Sequence, residues 1–159
     1  DNLGAAHSTG VELELEAHPT DRLTLSLGGS WVEAEFDEDI PAEGVMKGDR
    51  LVDVPETSAF ASIHYDFPLF GGTSGYARAQ YNYVGDRITT TGLNPNRELE
   101  SYNTLNLKFG FKGERWYGSL FVNNATDEYV IVSDIPFIAD LNRYETRPRM
   151  VGLNIGYAF

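Results

Sequence analysis

The sequence predicts an all-β fold: an antiparallel, up-and-down transmembrane β-barrel, of which about seven strands are present. Three observations predict it. Large apolar side chains alternate with small or polar ones along most of the chain, the period-two repeat of a strand whose faces meet different surroundings. The connections between these stretches alternate strictly between short and long. Aromatic residues gather towards the two ends of the strands and leave an aliphatic belt between them.

The strands follow in order. Val11, Leu13, Leu15 and Ala17 interleave with Glu12, Glu14, Glu16 and His18. Leu23, Leu25, Leu27, Gly29 and Trp31 interleave with Thr24, Ser26, Gly28 and Ser30. Ala59, Ala61, Ile63, Tyr65 and Phe67 define a third strand, and Ala77, Ala79, Tyr81 and Tyr83 a fourth. Leu105, Leu107, Phe109 and Phe111 define the fifth. Residues 116–124 have strand composition, but their two faces are less distinct. Val151, Leu153, Ile155, Tyr157 and Phe159 alternate with Gly152, Asn154, Gly156 and Ala158, and the sequence stops on an aromatic residue. Strands of roughly ten residues cross a bilayer at a tilt. No helix is predicted.

The turns at 18–21, 67–74 and 113–115 are short, and the connections 37–56, 86–101 and 125–146 are long. In an up-and-down sheet every short turn then falls at one end and every long loop at the other. Tyr65, Phe67, Phe109, Phe111, Trp116, Tyr157 and Phe159 gather at the short-turn end, and Trp31, Tyr81 and Tyr83 at the long-loop end. Bilayer interfaces select such bands, whereas a soluble sandwich has no reason to sort aromatics by height. The opposite face carries Glu12, Glu14, Glu16, His64, Asp66, Arg78, Gln80, Asn106, Lys108, Lys112 and Asn154. Alternation alone also allows a soluble barrel with this face outward. The banding favours polar-in.

Composition removes several classes. A net charge of -12 lacks the basic patch that nucleic acid requires. No apolar run approaches the roughly 18 residues of a membrane helix. With no cysteine, disulfides and thiolate metal sites are excluded. The chain opens at Asp1 without Met or a signal peptide, so a mature form or a piece of something longer is expected.

Candidate sites are sparse. Glu12, Glu14 and Glu16 suit a lumenal cation path, although a hydrated lumen wall is the simpler reading. Asp37, Glu38, Asp39, Glu43, Asp49, Asp53 and Glu56 supply the oxygens a hard cation wants, but lack EF-hand spacing and read as a solvated loop. His7, His18 and His64 fall on different elements with no zinc spacing. The glycine-rich run 71–75 lacks the lysine and following helix of a phosphate loop and reads as a turn. Asn124 and Thr126 match a glycosylation sequon, which means little in a bacterial outer membrane. No catalytic constellation is present, so an enzyme is the least favoured class; no catalytic, cofactor or metal residue is assigned and no cofactor is expected. Arg97, Glu98, Glu100, Tyr129, Arg143 and Tyr144 lie on predicted outer loops, where binding side chains usually sit over a rigid barrel.

Two segments carry a resemblance. Residues 116–129, WYGSLFVNNATDEY, are similar to the penultimate strand of TonB-dependent outer-membrane receptors, ending in an Asn-x-x-Asp-x-x-Tyr-like step into a loop. Residues 147–159, RPRMVGLNIGYAF, are similar to the terminal strand of that family, whose final Phe is read by the barrel-assembly machinery. Residues 10–14 and 81–86 are weaker matches. The resemblance covers essentially residues 1–159 and implies the C-terminal part of a barrel of about 22 strands with a plugged lumen. The plug and the TonB-contacting box have no counterpart here. It further implies an outer-membrane location in a bacterial cell, a monomer when full length, and import driven by TonB-coupled energy. The ligand would be a scarce small molecule, a ferric siderophore first, with haem, cobalamin or a saccharide open. The alternatives are a small passive porin-like or structural barrel, and a soluble lipid-binding barrel with its polar face outward.

Overall fold

Residues with period-two apolarity become strands because one face can then meet an apolar medium while neighbouring strands satisfy the backbone. In the computed structural model, residues 4–90, 97–134 and 143–159 are described. Seven strands form one antiparallel sheet: β1 (Ala6–Thr20), β2 (Leu23–Phe36), β3 (Thr57–Pro68), β4 (Ser74–Val84), β7 (Tyr102–Lys112), β8 (Trp116–Asn123) and β11 (Met150–Tyr157). They lie in that spatial order, so each strand pairs with the next one of the sheet along the chain, as the alternation of connections predicts. Strands β1 and β11 are the two edges.

Two details differ from expectation. The first turn is only Asp21 and Arg22, because β1 continues through His18 and Pro19 to pair Thr20 with Leu23 across a register shift. Proline is tolerated there because it falls at the register shift between Ala17 and Thr20, where the ladder is interrupted. The second and third long connections are not featureless. They fold into two-stranded ribbons, β5 (Arg87–Thr90) with β6 (Arg97–Leu99), and β9 (Ile131–Asp134) with β10 (Arg143–Glu145).

Register shows how continuous the faces are. Pairing sets Ala17, Leu25, Ile63, Ala79, Leu107, Val122 and Val151 in one row across all seven strands. The adjacent polar row reads Glu16, Ser26, Ser62, Gln80 and Asn106. The apolar face remains uncovered, with Leu13, Val151, Leu153 and Ile155 each more than half exposed. That is the state expected of a surface whose solvent is lipid. At the short-turn end Phe67 stands 5.7 Å from Phe109, Trp116 4.8 Å from Tyr157, and Tyr157 5.3 Å from Phe159, forming the predicted aromatic band.

The polar face has a feature that alternation does not predict. Tyr76 lies across Gly110, and Phe121 across Gly152. A Cβ on Gly110 would come within 2.5 Å of the Tyr76 ring, and one on Gly152 within 2.2 Å of the Phe121 ring. Phe60 over Gly28 and Tyr117 over Gly156 repeat the arrangement. The ring covers backbone that glycine leaves bare, a cross-strand pairing that pins register. It also explains why residues 116–124 show blurred faces: Tyr117 and Phe121 point to the polar side, each lying over a glycine of β11.

Two outcomes follow for the full-length protein. Leu107→Arg should lower barrel stability by about 2–4 kcal/mol, as for a cation placed on the lipid face at mid-membrane. Asn106→Asp should be tolerated, because it keeps the oxygen that accepts the Asn124 N–H at 3.0 Å. Heat-modifiable gel mobility of the outer-membrane protein measures both, and equal tolerance would reverse the face assignment. Gly110→Ala should cost about 1–3 kcal/mol in urea unfolding, because Tyr76 is hemmed in by His64, stacked at 5.7 Å, and by Lys108 at 5.9 Å. Adding Tyr76→Ala should recover part of that loss.

Candidate functional site at the outer loops

Three long connections rise from one end of the sheet, and a few side chains tie them together. The loop after β2 is anchored first by backbone: Phe36 N–H donates to Asp49 O, and Leu51 N–H to Ala34 O. Its Arg50 then acts as a bracket. Nε reaches Glu56 at 3.0 Å, Nη1 reaches the Asp86 carboxylate at 3.0 Å, and Nη2 donates to the Asp86 carbonyl at 3.1 Å. Asp53 N–H donates to Ile88 O, so the same loop also holds β5. Arg87 carries the chain of contacts onward, donating through Nη2 to Val132 O on β9. The three loops are therefore coupled along one rim.

The third connection is built around Asn124, which is buried and adopts a left-handed backbone with φ of 50°. Asparagine tolerates that region better than most residues. Its Nδ2 donates to the carbonyls of Glu128 and Arg147, both at 2.9 Å, and its Oδ1 accepts the Glu128 N–H at 2.9 Å. Thr146 closes the base by accepting the Val130 N–H and donating to Glu128 O. Asp127 accepts the Arg149 N–H at 2.8 Å and pairs with its guanidinium at 3.1 Å, which holds the Asp127 carboxyl below the ordinary carboxylate range. The Asn-x-x-Asp step is thus a clamp on both legs of the loop.

The predicted site residues separate on this frame. Tyr129 and Tyr144 are exposed on the third loop. The Tyr129 phenol donates to the Glu145 carboxylate, which raises its pKa above the ordinary value. Glu98 and Glu100 are also exposed. Arg97 and Arg143 belong to β6 and β10, but their side chains lie outside the described residues. Five acids of the loop are spent on nearby contacts, Asp37 on His7, Glu38 on Ala5 N–H, Asp39 on Lys47 N–H, Asp49 on Met46 N–H and Glu56 on Arg50, and Glu43 and Asp53 are exposed. Among the described residues no group of three or more such side chains converges as a metal site. Glu12, Glu14 and Glu16 stay on the polar side of edge strand β1, with Glu16 3.1 Å from His18. The brackets Arg50, Arg87 and Thr146 were not evident in the sequence, because Arg50 and Arg87 reach partners on other loops and Thr146 reaches the far leg of its own.

An open-edged antiparallel wall, apolar on one face and polar on the other, with tied loops at one rim, defines part of an outer-membrane β-barrel of the receptor type. The chain belongs to the TonB dependent receptor-like β-barrel family, whose model matches residues 1–125. The fold and family are those of receptors and transporters rather than enzymes, and their place is the outer membrane. The chain is 32% identical over 107 residues to the metal-pseudopaline receptor CntO of Pseudomonas aeruginosa, an alignment covering 65% of this chain and 14% of that receptor. It superposes on the ferric yersiniabactin uptake receptor FyuA of Yersinia pestis with a TM-score of 0.85 and 25% identity, over 99% of this chain and 24% of FyuA. BauA, the ferric preacinetobactin receptor of Acinetobacter baumannii, shares the fold with a TM-score of 0.73 at 16% identity, over 96% of this chain and 22% of that one. The chain thus spans about a quarter or less of these relatives. The family model stops short of the terminal strand, whereas the FyuA superposition includes nearly the whole chain.

Asn124→Ala in the full-length protein should expose the segment between β8 and β11 to protease while the sheet stays folded, since each lost buried hydrogen bond costs about 1–3 kcal/mol. Acid should loosen the same segment. Because the Asp127 pKa is depressed in the fold, its contribution is complete above the ordinary carboxylate value and fades as the pH falls through the lowered one. Protection against an acid-active protease should therefore decline below about pH 4, and Asp127→Asn should flatten that decline.

Proposed function

We propose that residues 1–159 form the C-terminal barrel portion of an active receptor, supplying wall and three outer loops to a longer protein. The whole protein captures a scarce metal chelate at its outer loops, a ferric siderophore first. It imports that chelate with TonB-coupled energy through a plug domain that is not part of this chain. The observation that carries this is the superposition on FyuA over 99% of the chain with 25% identity. CntO, at 32% identity, supports a metal chelate as the ligand class and keeps a metal other than iron open. The tied rim supports capture rather than free passage, because loops held to one another present a preorganised surface. The exposure of Phe159 beside Tyr157 supports its recognition by the barrel-assembly machinery, and in this reading the full-length protein acts as a monomer.

Deletion of the full-length gene should abolish growth on at least one ferric siderophore under iron limitation, and a plasmid copy should restore it. Loss of labelled-metal uptake in a TonB-deficient strain should match the deletion. Undiminished uptake on every chelate, together with passive sugar flux through the protein in liposomes, would replace the receptor by a porin-like barrel. Uptake of a labelled divalent metal in place of labelled iron would keep the receptor and move its cargo.

A further inference from the structure

We propose that the Arg87 guanidinium is an anion subsite at the seam between the β5–β6 and β9–β10 ribbons, built to receive a carboxylate-type oxygen. Arg87 is only 7% exposed, and its Nη1 is buried with no hydrogen-bond partner among the described residues. Its cross-strand neighbour, Leu99, is buried and apolar. The adjacent acid does not serve it, because the Asp86 carboxylate and carbonyl are both committed to Arg50. What remains among the described residues is one neutral carbonyl, Val132 O, and the face of Tyr102, whose centroid lies 5.8 Å from the guanidinium carbon.

A desolvated guanidinium with a vacant N–H edge is an unfinished ion pair. Guanidinium forks match planar two-oxygen anions, and a charged acceptor outcompetes a neutral carbonyl for the same donors. Tyr102 fixes which side of the wall the group serves. It shares a face with Thr104, Asn106 and Lys108, the polar side of the sheet, so Arg87 stands over the lumenal side of the rim. An anion would enter by parting the seam and taking the place of Val132 O, which would bind the ribbons to the ligand instead of to each other. That this anion is a free carboxylate of an incoming chelate rests on the proposed receptor function; the subsite itself does not.

The test uses the full-length protein in detergent with free citrate as the probe, against chloride at equal ionic strength. Citrate should raise the thermal midpoint of the wild type, since a ligand that binds the folded state stabilises it. Arg87→Gln should weaken apparent citrate binding about 10- to 100-fold, the usual consequence of losing a charge-assisted contact, while Arg115→Gln, in the short turn at the opposite end of the sheet, should keep it. Arg87→Lys keeps the charge but not the fork and should fall between; it carries the test if the glutamine variant does not assemble. The absence of a citrate-specific shift in the wild type, or an unchanged shift in Arg87→Gln, overturns the subsite. A citrate shift that depends on Arg87, in a protein that supports growth on no chelate, would retain the subsite and remove the receptor function.

Discussion

The structure depends on one constraint: inside a bilayer, no backbone N–H or carbonyl can be left to water. Every crossing strand must therefore be paired along its length. The seven-stranded ladder meets that demand from β1 to β11, leaving only the two edges open. Pairing then decides everything about the faces. Once Leu107 lies opposite Ala79 and Val122, a slip of one residue would turn Lys108 towards lipid and Phe109 towards the lumen. The register is thus under strong selection from the medium on both sides.

The aromatic–glycine pairs serve that same register. A ring laid over a glycine on the neighbouring strand fits at one offset only, because the next residue along carries a side chain that meets the ring. Phe121 over Gly152 and Tyr117 over Gly156 apply this twice to the pairing of β8 with terminal strand β11. The final hairpin is consequently fixed by shape on the polar side and by Leu120 opposite Leu153 on the apolar side.

Most of the wall was legible in the sequence because its two faces meet different solvents, and period two records that directly. Val151 to Phe159 needs no partner to be read as a strand. The aromatic–glycine pairs were not legible, because Tyr117 and Gly156 become a unit only once β11 is laid beside β8. Their presence is the reason residues 116–124 looked indistinct. The rim was largely hidden for the same reason. The acidic loop displays its carboxylates in sequence, but nothing local says that Arg50 turns Glu56 and Asp86 into one bracket, or that Asn124 reaches Arg147. Short-range turn chemistry is visible; pairings between loops are not.

Charge economy makes the rim informative. The chain has 24 acidic side chains and 12 basic ones, so a cation finds a carboxylate easily and an unpaired buried cation needs a reason. Arg50 shows the ordinary outcome: a half-buried guanidinium between two carboxylates, its charge answered and its loops joined. Among the described residues, Arg87 performs the same joining without a carboxylate, against one carbonyl and one ring. The two brackets therefore differ in kind. The first is complete, and opening it separates three charges in water, where they remain well solvated. The second is incomplete, and opening it frees a guanidinium that gains from solvent or from any anion that reaches it.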